Sequence, residues 1–244
     1  MDETSLLFNF EENFLFLDKF YERYSKTTAD GSHTLYLPGL DEHYHSTHGA
    51  VSESRHVFIE QGFDHVSCCQ RQINVLEVGF GTGLNAILTL ERSAAESLEV
   101  EYLAVEPYPL SMDEAKNINL AGQVAGGRFR EEFLHMHGMP YGKRTFLSGK
   151  FHMVKHKHRV QELDLPDNQF DMVYHDAFAP QFQPEMWDVN LFARIYRTMR
   201  TGGILTTYCA KGEVKRALKA CGFILTHPPG PTGKREITRA LKTD

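Results

Sequence analysis

The chain has 244 residues, 41% hydrophobic and 24% charged, with a formal net charge of −6, a size and mix that fit one large globular domain or one domain with a small extension. No apolar run approaches the ~18 residues of a membrane span, and the acidic start (Asp2, Glu3, Glu11, Glu12) is unlike a signal peptide, so the expected location is cytoplasmic. Four cysteines without a C-x-x-C pair, and histidines in "HYHSTH" (His43, His45, His48) and "KHKHR" (His156, His158) at no metal-motif spacing, argue against zinc, redox and metal sites. The acidic total argues against nucleic-acid binding by the whole surface and leaves room for a local basic patch.

Residues 1–72 read as an irregular N-terminal extension. "FLDKFYERY" places Phe16, Phe20 and Tyr24 at i, i+4, i+8, which predicts a helix. "TTADGSHTLYLPG" predicts turn, short strand, turn, and "ESRHVFIEQGF" a helix ending near Gly62. From residue 73 to 244 strands and helices alternate. "INVLEVG" is a buried strand, "LNAILTLERSAAES" a helix, "LEVEYLAVEP" a second strand, and "SMDEAKNINLAG" a helix capped by Ser111. "FHMVKH" is a weak third strand, "FDMVYHDAF" a fourth, and "PEMWDVNLFARIYRTMR" a helix. "GGILTTYC" is a fifth strand, and "KGEVKRALKACG" a helix closed by Gly222. "FILTHPPGPTGKREITRAL" ends the chain as two strands around a Pro/Gly turn, a hairpin that must set one edge strand antiparallel. The alternation predicts an α/β fold: a mostly parallel sheet covered on both faces.

Gly79, Gly81 and Gly83 lie where the first strand opens into a helix, at the sheet edge where open α/β folds bind ligands. "GTGLNA" also satisfies a dinucleotide fingerprint, so NAD and S-adenosylmethionine compete. Glu77 favours the second. Two residues before the glycines, an acid can hold the ammonium of a methionine moiety, whereas it would repel a pyrophosphate. Glu106, ending the next strand, can accept from ribose hydroxyls of either cofactor. The closing hairpin matches the seven-stranded, Rossmann-like pattern of class I methyltransferases, which these features resemble. In that fold Asp176, in "HDAFAPQFQPEMW", falls at the end of the fourth strand against the cofactor's methyl group. Pro180 and Pro184 stiffen its loop, and Phe178, Phe182 and Trp187 offer flat surface on which a base could stack.

"EVGFGTGLN", "VEPYPL", "HDAFAPQFQPEMW", "GGILTTYCAKGEVKRALKACGF" and "GPTGKRE", with "DGSHTLY" and "HYHSTHGAVSESRHVF" before them, resemble the methyltransferase half of the MnmC family. The resemblance spans roughly residues 30 to 240. It implies transfer of a methyl group from S-adenosylmethionine to the amine of 5-aminomethyl-(2-thio)uridine at the tRNA wobble position. It implies cofactor contacts from Tyr44, Glu77, Gly79, Gly81, Gly83, Asn85 and Glu106, and places Asp176 beside the amine. The extension, residues 1–72, is expected to pack over the cofactor site. One departure stands out. The family's Gly-Asp after the third strand, which serves the adenine amino group, is replaced by "KHKHRVQEL", with no acid before Glu162. A small-molecule methyltransferase and a non-catalytic S-adenosylmethionine-binding subunit are the alternative readings.

Phosphate contacts are sought in Lys155, Lys157 and Arg159, in Lys211, Lys215, Arg216 and Lys219 around the helix after the fifth strand, and in Lys234 and Arg235 at the final turn. Phe178, Pro180 and Trp187 are the candidates for the base. One glycine-rich nucleotide loop and a short N-terminal segment predict a methyltransferase without a flavin domain. The aminomethyl substrate would then come from a separate flavin-dependent oxidase or directly from the upstream wobble-modification enzymes.

Overall fold

The computed structural model describes residues 22–243. The first described segment is a small antiparallel sheet of β1 (Tyr24–Thr27), β2 (His33–Leu37) and β3 (Glu42–His43). β1 pairs with β2 from Tyr24↔Tyr36 to Thr27↔His33. Tyr24 is therefore extended, not helical as its spacing from Phe20 suggested, and the rest of that predicted helix lies outside the described residues. The turn between β1 and β2 forms because Asp30 accepts hydrogen bonds from the Thr28 hydroxyl (2.7 Å) and the Ser32 amide (3.0 Å).

One continuous helix follows, α1. It consists of an α turn Ala50–Ser54, a π segment Arg55–Phe63 and a last α turn Asp64–Ser67. It does not stop at Gly62. That glycine serves close packing instead: a Cβ there would come within 2.5 Å of Met172 Cε, beneath the helix on the central sheet.

The central sheet has eight strands in the order β10-β11-β9-β8-β4-β5-β7-β6. They are β4 (Gln72–Val78), β5 (Glu99–Val105), β6 (Thr145–Ser148), β7 (Phe151–His156), β8 (Phe170–His175), β9 (Met199–Thr207), β10 (Ile224–Thr226) and β11 (Thr238–Leu241). β4, β5, β7, β8 and β9 pair in parallel, which gives the expected mostly parallel sheet. Two details differ from the sequence reading. β11 inserts between β9 and β10 and runs antiparallel to both, so the antiparallel strand of the closing hairpin is not at the edge. At the opposite edge β6 pairs antiparallel with β7 and adds an eighth strand. Its "TFLS" is short and leaves Phe146 exposed, so it carries no burial alternation to read.

Helices cover both faces, as a parallel sheet requires. On one side lie α1, α2 (Leu84–Glu96), α3 (Met112–Asn117), α4 (Leu120–Gln123) and α5 (Arg130–Gly138), with Phe58, Ile87, Leu120 and Phe133 in the shared core. On the other side α6 (Val189–Thr198) and α7 (Gly212–Ala220) press Leu191, Phe192, Val214 and Leu218 onto the sheet. Each such fully buried side chain contributes about 1.5–3 kcal/mol by leaving water. Ser111 caps α3 as expected, accepting from Glu114 N while Glu114 accepts from Ser111 N in return. The predicted single helix breaks after Asn117 because Ile118 is extended. Asn119 there accepts from His33 N (2.7 Å) and donates to Gly31 O (2.9 Å), tying the small sheet down.

Candidate active site

The carboxyl ends of β4, β5 and β8 meet the loop after β3 around a cavity of about 400 Å³. Gly79 and Gly81, on its wall, have φ of +91° and +49°, backbone that L-residues rarely adopt. A Cβ at Gly79 would collide with the Asp176 carbonyl, and one at Gly81 would press on the Tyr44 ring at 3.1 Å. Gly83 is not on the wall. It is the N-cap of α2, packed under Phe80 and His137.

The loop's own amides are occupied. Gly79 N and Phe80 N donate to Val105 O (3.0 and 3.3 Å), Gly83 N to Phe80 O (2.8 Å), and Gly81 N to Glu106 Oε2 (2.8 Å). An anion would find few free N–H groups there and would face the Glu106 carboxylate, so the cradle suits an uncharged ribose better than a pyrophosphate. Glu106 also accepts from Tyr108 N (2.8 Å). Two backbone bonds leave lone pairs for a diol, because an ionised carboxylate has about four acceptor positions. Burial raises its pKa, opposed by the two amides, Arg23 and Lys155.

Asp176 follows β8 and lines the cavity. Its Oδ2 accepts from Asn85 Nδ2 at 2.8 Å, from the first turn of α2. Burial pushes its pKa up to about 7, with the Asn85 hydrogen bond opposing, Glu53 adding to the rise and Lys234 reducing it. The aromatic wall is Tyr44 and Phe178, edge to face at 5.1 Å, with Tyr208, whose hydroxyl donates to Ala177 O at 2.8 Å. Burial also raises the Tyr44 pKa.

Other predicted residues lie elsewhere. Glu77 is wholly buried beside Tyr102, behind the residues that line the cavity. Its carboxyl faces the Tyr102 hydroxyl and the Asn85 side chain in the interior. Burial holds Glu77 well above the carboxylate range. Trp187 is turned inward, 5% exposed, packed on His175 and donating to Phe178 O at 2.7 Å; it props the loop from behind instead of offering a stacking face. Pro180 is likewise buried and off the wall.

The basic residues divide. Lys155 is fully buried and caps α5 through Met136 O (2.6 Å) and His137 O (2.7 Å), and burial lowers its pKa to about 8. Lys215 is paired with Glu236 (2.6 Å) and Lys211 with Gln181 (2.5 Å). Lys234 reaches into the cavity. Lys157, Arg216, Lys219 and Arg235 are exposed. Among the wall residues not singled out from the sequence are Glu53, His45, Gln161 and Tyr208. His45, held neutral by burial at a pKa of about 4, hydrogen-bonds Thr82 at 2.7 Å. Gln161 follows β7, where the family's acid is missing, and its Oε1 is buried without a hydrogen-bond partner. Nothing in their spacing links these four residues; only the fold does. Among the described residues no group of three His, Cys, Asp or Glu is placed to hold a metal, and no helix is long and apolar enough to cross a membrane.

Residues 133–243 match a family described as S-adenosyl-L-methionine-dependent methyltransferase. The chain is 35% identical over 219 residues to the tRNA 5-methylaminomethyl-2-thiouridine biosynthesis bifunctional protein MnmC of Magnetococcus marinus, covering 85% of this chain and 32% of that protein. It is 30% identical over 216 residues to the protein of that name from Pseudomonas fluorescens, covering 82% of this chain and 32% of that protein. The chain thus spans about a third of the length of the curated relatives it matches. Among solved structures it resembles MNMC2 from Aquifex aeolicus (TM-score 0.71, 25% identity, 96% of this chain and 78% of that one). Spermidine synthase from Thermotoga maritima shares the fold at 12% identity (TM-score 0.57, 90% and 68% covered). With the glycine loop, Glu106 and Asp176 gathered on one cavity, the chain is an S-adenosylmethionine-dependent methyltransferase domain of the MnmC family.

Proposed function

We propose that this domain methylates the amine of 5-aminomethyl-(2-thio)uridine at the tRNA wobble position, giving 5-methylaminomethyl-(2-thio)uridine. The observation that carries this reading is Asp176: a carboxylate held by Asn85, poised near neutral pH, between the glycine loop and an aromatic wall. S-adenosylmethionine, when bound, supplies an electrophilic methyl group on a sulfonium. Glu106 would hold its ribose, and Gln161 Oε1 would accept from the adenine amino group in place of the missing acid.

The amine is the part that needs the protein. An alkylamine has a pKa of roughly 10, by analogy with lysine, so it arrives as a cation. With Glu53 paired to Lys234, Asp176 is the acid left facing the amine, beside the aromatic wall of Tyr44, Phe178 and Tyr208. Asp176 then accepts the proton, directly or through water. A base with pKa near 7 is ionised enough at physiological pH to accept it, and although the transfer from an amine of pKa roughly 10 is uphill, it is less so than to an ordinary carboxylate, and methyl transfer consumes the neutral amine as it forms. The neutral amine, fixed between Asp176 and the loop, is left with positioning as its main catalytic need.

The tRNA would rest on the exposed Arg216, Lys219 and Arg235. The Lys215–Glu236 ion pair ties α7, which carries Arg216 and Lys219, to the turn that carries Arg235. Mass spectrometry of total-tRNA nucleosides from cells lacking the gene tests the reading. Accumulation of the 5-aminomethyl form and loss of the methylated form is expected; an unchanged nucleoside profile would contradict it.

A further inference from the structure

Among the charged side chains that line the cavity, Glu53 and Lys234 are needed neither to bind the cofactor nor to take the amine's proton. Glu53, in the first stretch of α1, is 8% exposed. Its Oε1 accepts from Lys234 Nζ at 2.5 Å and its Oε2 from Ser46 N at 2.8 Å. Lys234 Nζ also sits 4.2 Å from the centre of the Tyr208 ring. The turn holding Lys234 is closed by Lys234 N to Pro231 O (2.9 Å) and Gly230 N to Arg235 O (3.1 Å). The two residues are 181 positions apart in sequence, joining α1 to the final hairpin. Both line the cavity with Asp176, and both act on its charge. A half-buried ion pair of this kind contributes little to stability, because desolvation and solvent screening offset the attraction. Its position against the acceptor side of the cavity calls for a ligand.

The pair presents a donor beside an acceptor. An ammonium has three N–H donors. Glu53 takes one and the Tyr208 ring faces the head group, which leaves at least one for a ligand. The Glu53 carboxylate has lone pairs beyond the two in use. A uracil ring shows the complementary order along one edge: N3–H, a donor, next to O4, an acceptor, next to the C5 substituent. Cytosine reverses the first two, with an N3 acceptor next to an amino donor. We propose that Glu53 and Lys234 read the pyrimidine edge of the acceptor base, Glu53 accepting from N3–H and Lys234 donating to O4, with the C5 aminomethyl group directed to Asp176 beside them. The proposal rests on the wobble-uridine reading above and deepens it. The 2-position lies on the far side of N3, beyond the pair's reach, so the contact is indifferent to oxygen or sulfur there.

The test uses two anticodon stem-loops that differ only at the wobble base, one with 5-aminomethyluridine and one with 5-aminomethylcytidine. Methyl transfer by the purified protein is followed, with S-adenosylmethionine affinity and melting temperature measured in parallel. The wild type should favour the uridine stem-loop by about 10²-fold or more in kcat/KM, since each mispaired buried polar group costs about tenfold or more. Lys234→Met and Glu53→Gln should each lower turnover of the uridine substrate about tenfold or more and narrow that preference. S-adenosylmethionine affinity should stay within about twofold, and Lys234→Arg, which keeps the donor, should restore most of the preference. Equal losses on both bases, or a wild type active on uridine yet blind to the base, would overturn the assignment alone. A wild type inactive on the uridine stem-loop would overturn the wobble-uridine reading itself.

Discussion

Asp176→Asn separates the chemistry of the site from its stability. The amide keeps the shape and can still accept from Asn85 Nδ2, whose bond to Oδ2 is 2.8 Å in the native chain. It cannot take a proton from the substrate amine. Turnover should fall by about 10²-fold or more, the usual worth of a positioned base, with S-adenosylmethionine affinity nearly unchanged. Native kcat/KM should rise to a plateau through pH of about 7, and the variant should lack that limb. The same substitution should stabilise the fold. The native carboxyl holds its proton from its ordinary 3.8 up to about 7, so folding binds a proton across that window and stability falls as pH rises through it. Roughly three pKa units at 1.36 kcal/mol each set a ceiling of about 4 kcal/mol above pH 7. Asp176 is partly open to the cavity, and solvent screening reduces the expected gain to about 1–2 kcal/mol. For a chain of this length that is about 2–8 °C in melting temperature at pH 8, shrinking to nothing near pH 4. Scanning calorimetry at both pH values and steady-state kinetics give the two readouts. A variant with native kcat, or one that loses cofactor affinity while turning over normally, would refute the assignment of Asp176 as the base.

Glu106→Ala should weaken S-adenosylmethionine by about 1–3 kcal/mol in titration calorimetry, the cost of two unpaired hydroxyls and a lost charged acceptor; an unchanged affinity would remove Glu106 from the cofactor site. Glu77→Gln should leave that affinity within about threefold, because burial favours the uncharged carboxyl and the side chain lies behind the wall; a large loss would mark Glu77 as a direct ligand. Reversing Arg216 and Arg235 to Glu should raise KM for tRNA more than it lowers kcat and flatten the salt dependence of binding; a salt slope identical to the native one would show that they are merely solvated.

The strand–helix alternation was legible because buried parallel strands such as "INVLEV" and amphipathic helices such as "VNLFARIYRT" carry their burial in their pattern. β6 was not, because an edge strand of four residues with Phe146 facing solvent has no such pattern. Gly62 misled for a physical reason: glycine marks helix ends and also close packing, and only the neighbouring strand decides which. In the site, Asp176, Glu106, Gly79 and Gly81 were readable because each sits beside a strand end. Lys234 was read as a phosphate contact because its motif looks solvent-facing; its partner Glu53 is 181 residues away and no local spacing announces it. Trp187 was read as a stacking face because type alone does not say which way a ring points.

The most direct test of the account combines the purified protein, isotopically labelled S-adenosylmethionine and two tRNA pools. One pool carries 5-aminomethyl-2-thiouridine at the wobble position and the other its carboxymethylaminomethyl counterpart. The account predicts label on the wobble nucleoside of the first pool alone, since the second amine is already substituted and its carboxylate would meet Asp176, Glu53 and Glu106 in a desolvated cavity. Label in the carboxymethyl pool, or none in the aminomethyl pool, would contradict it.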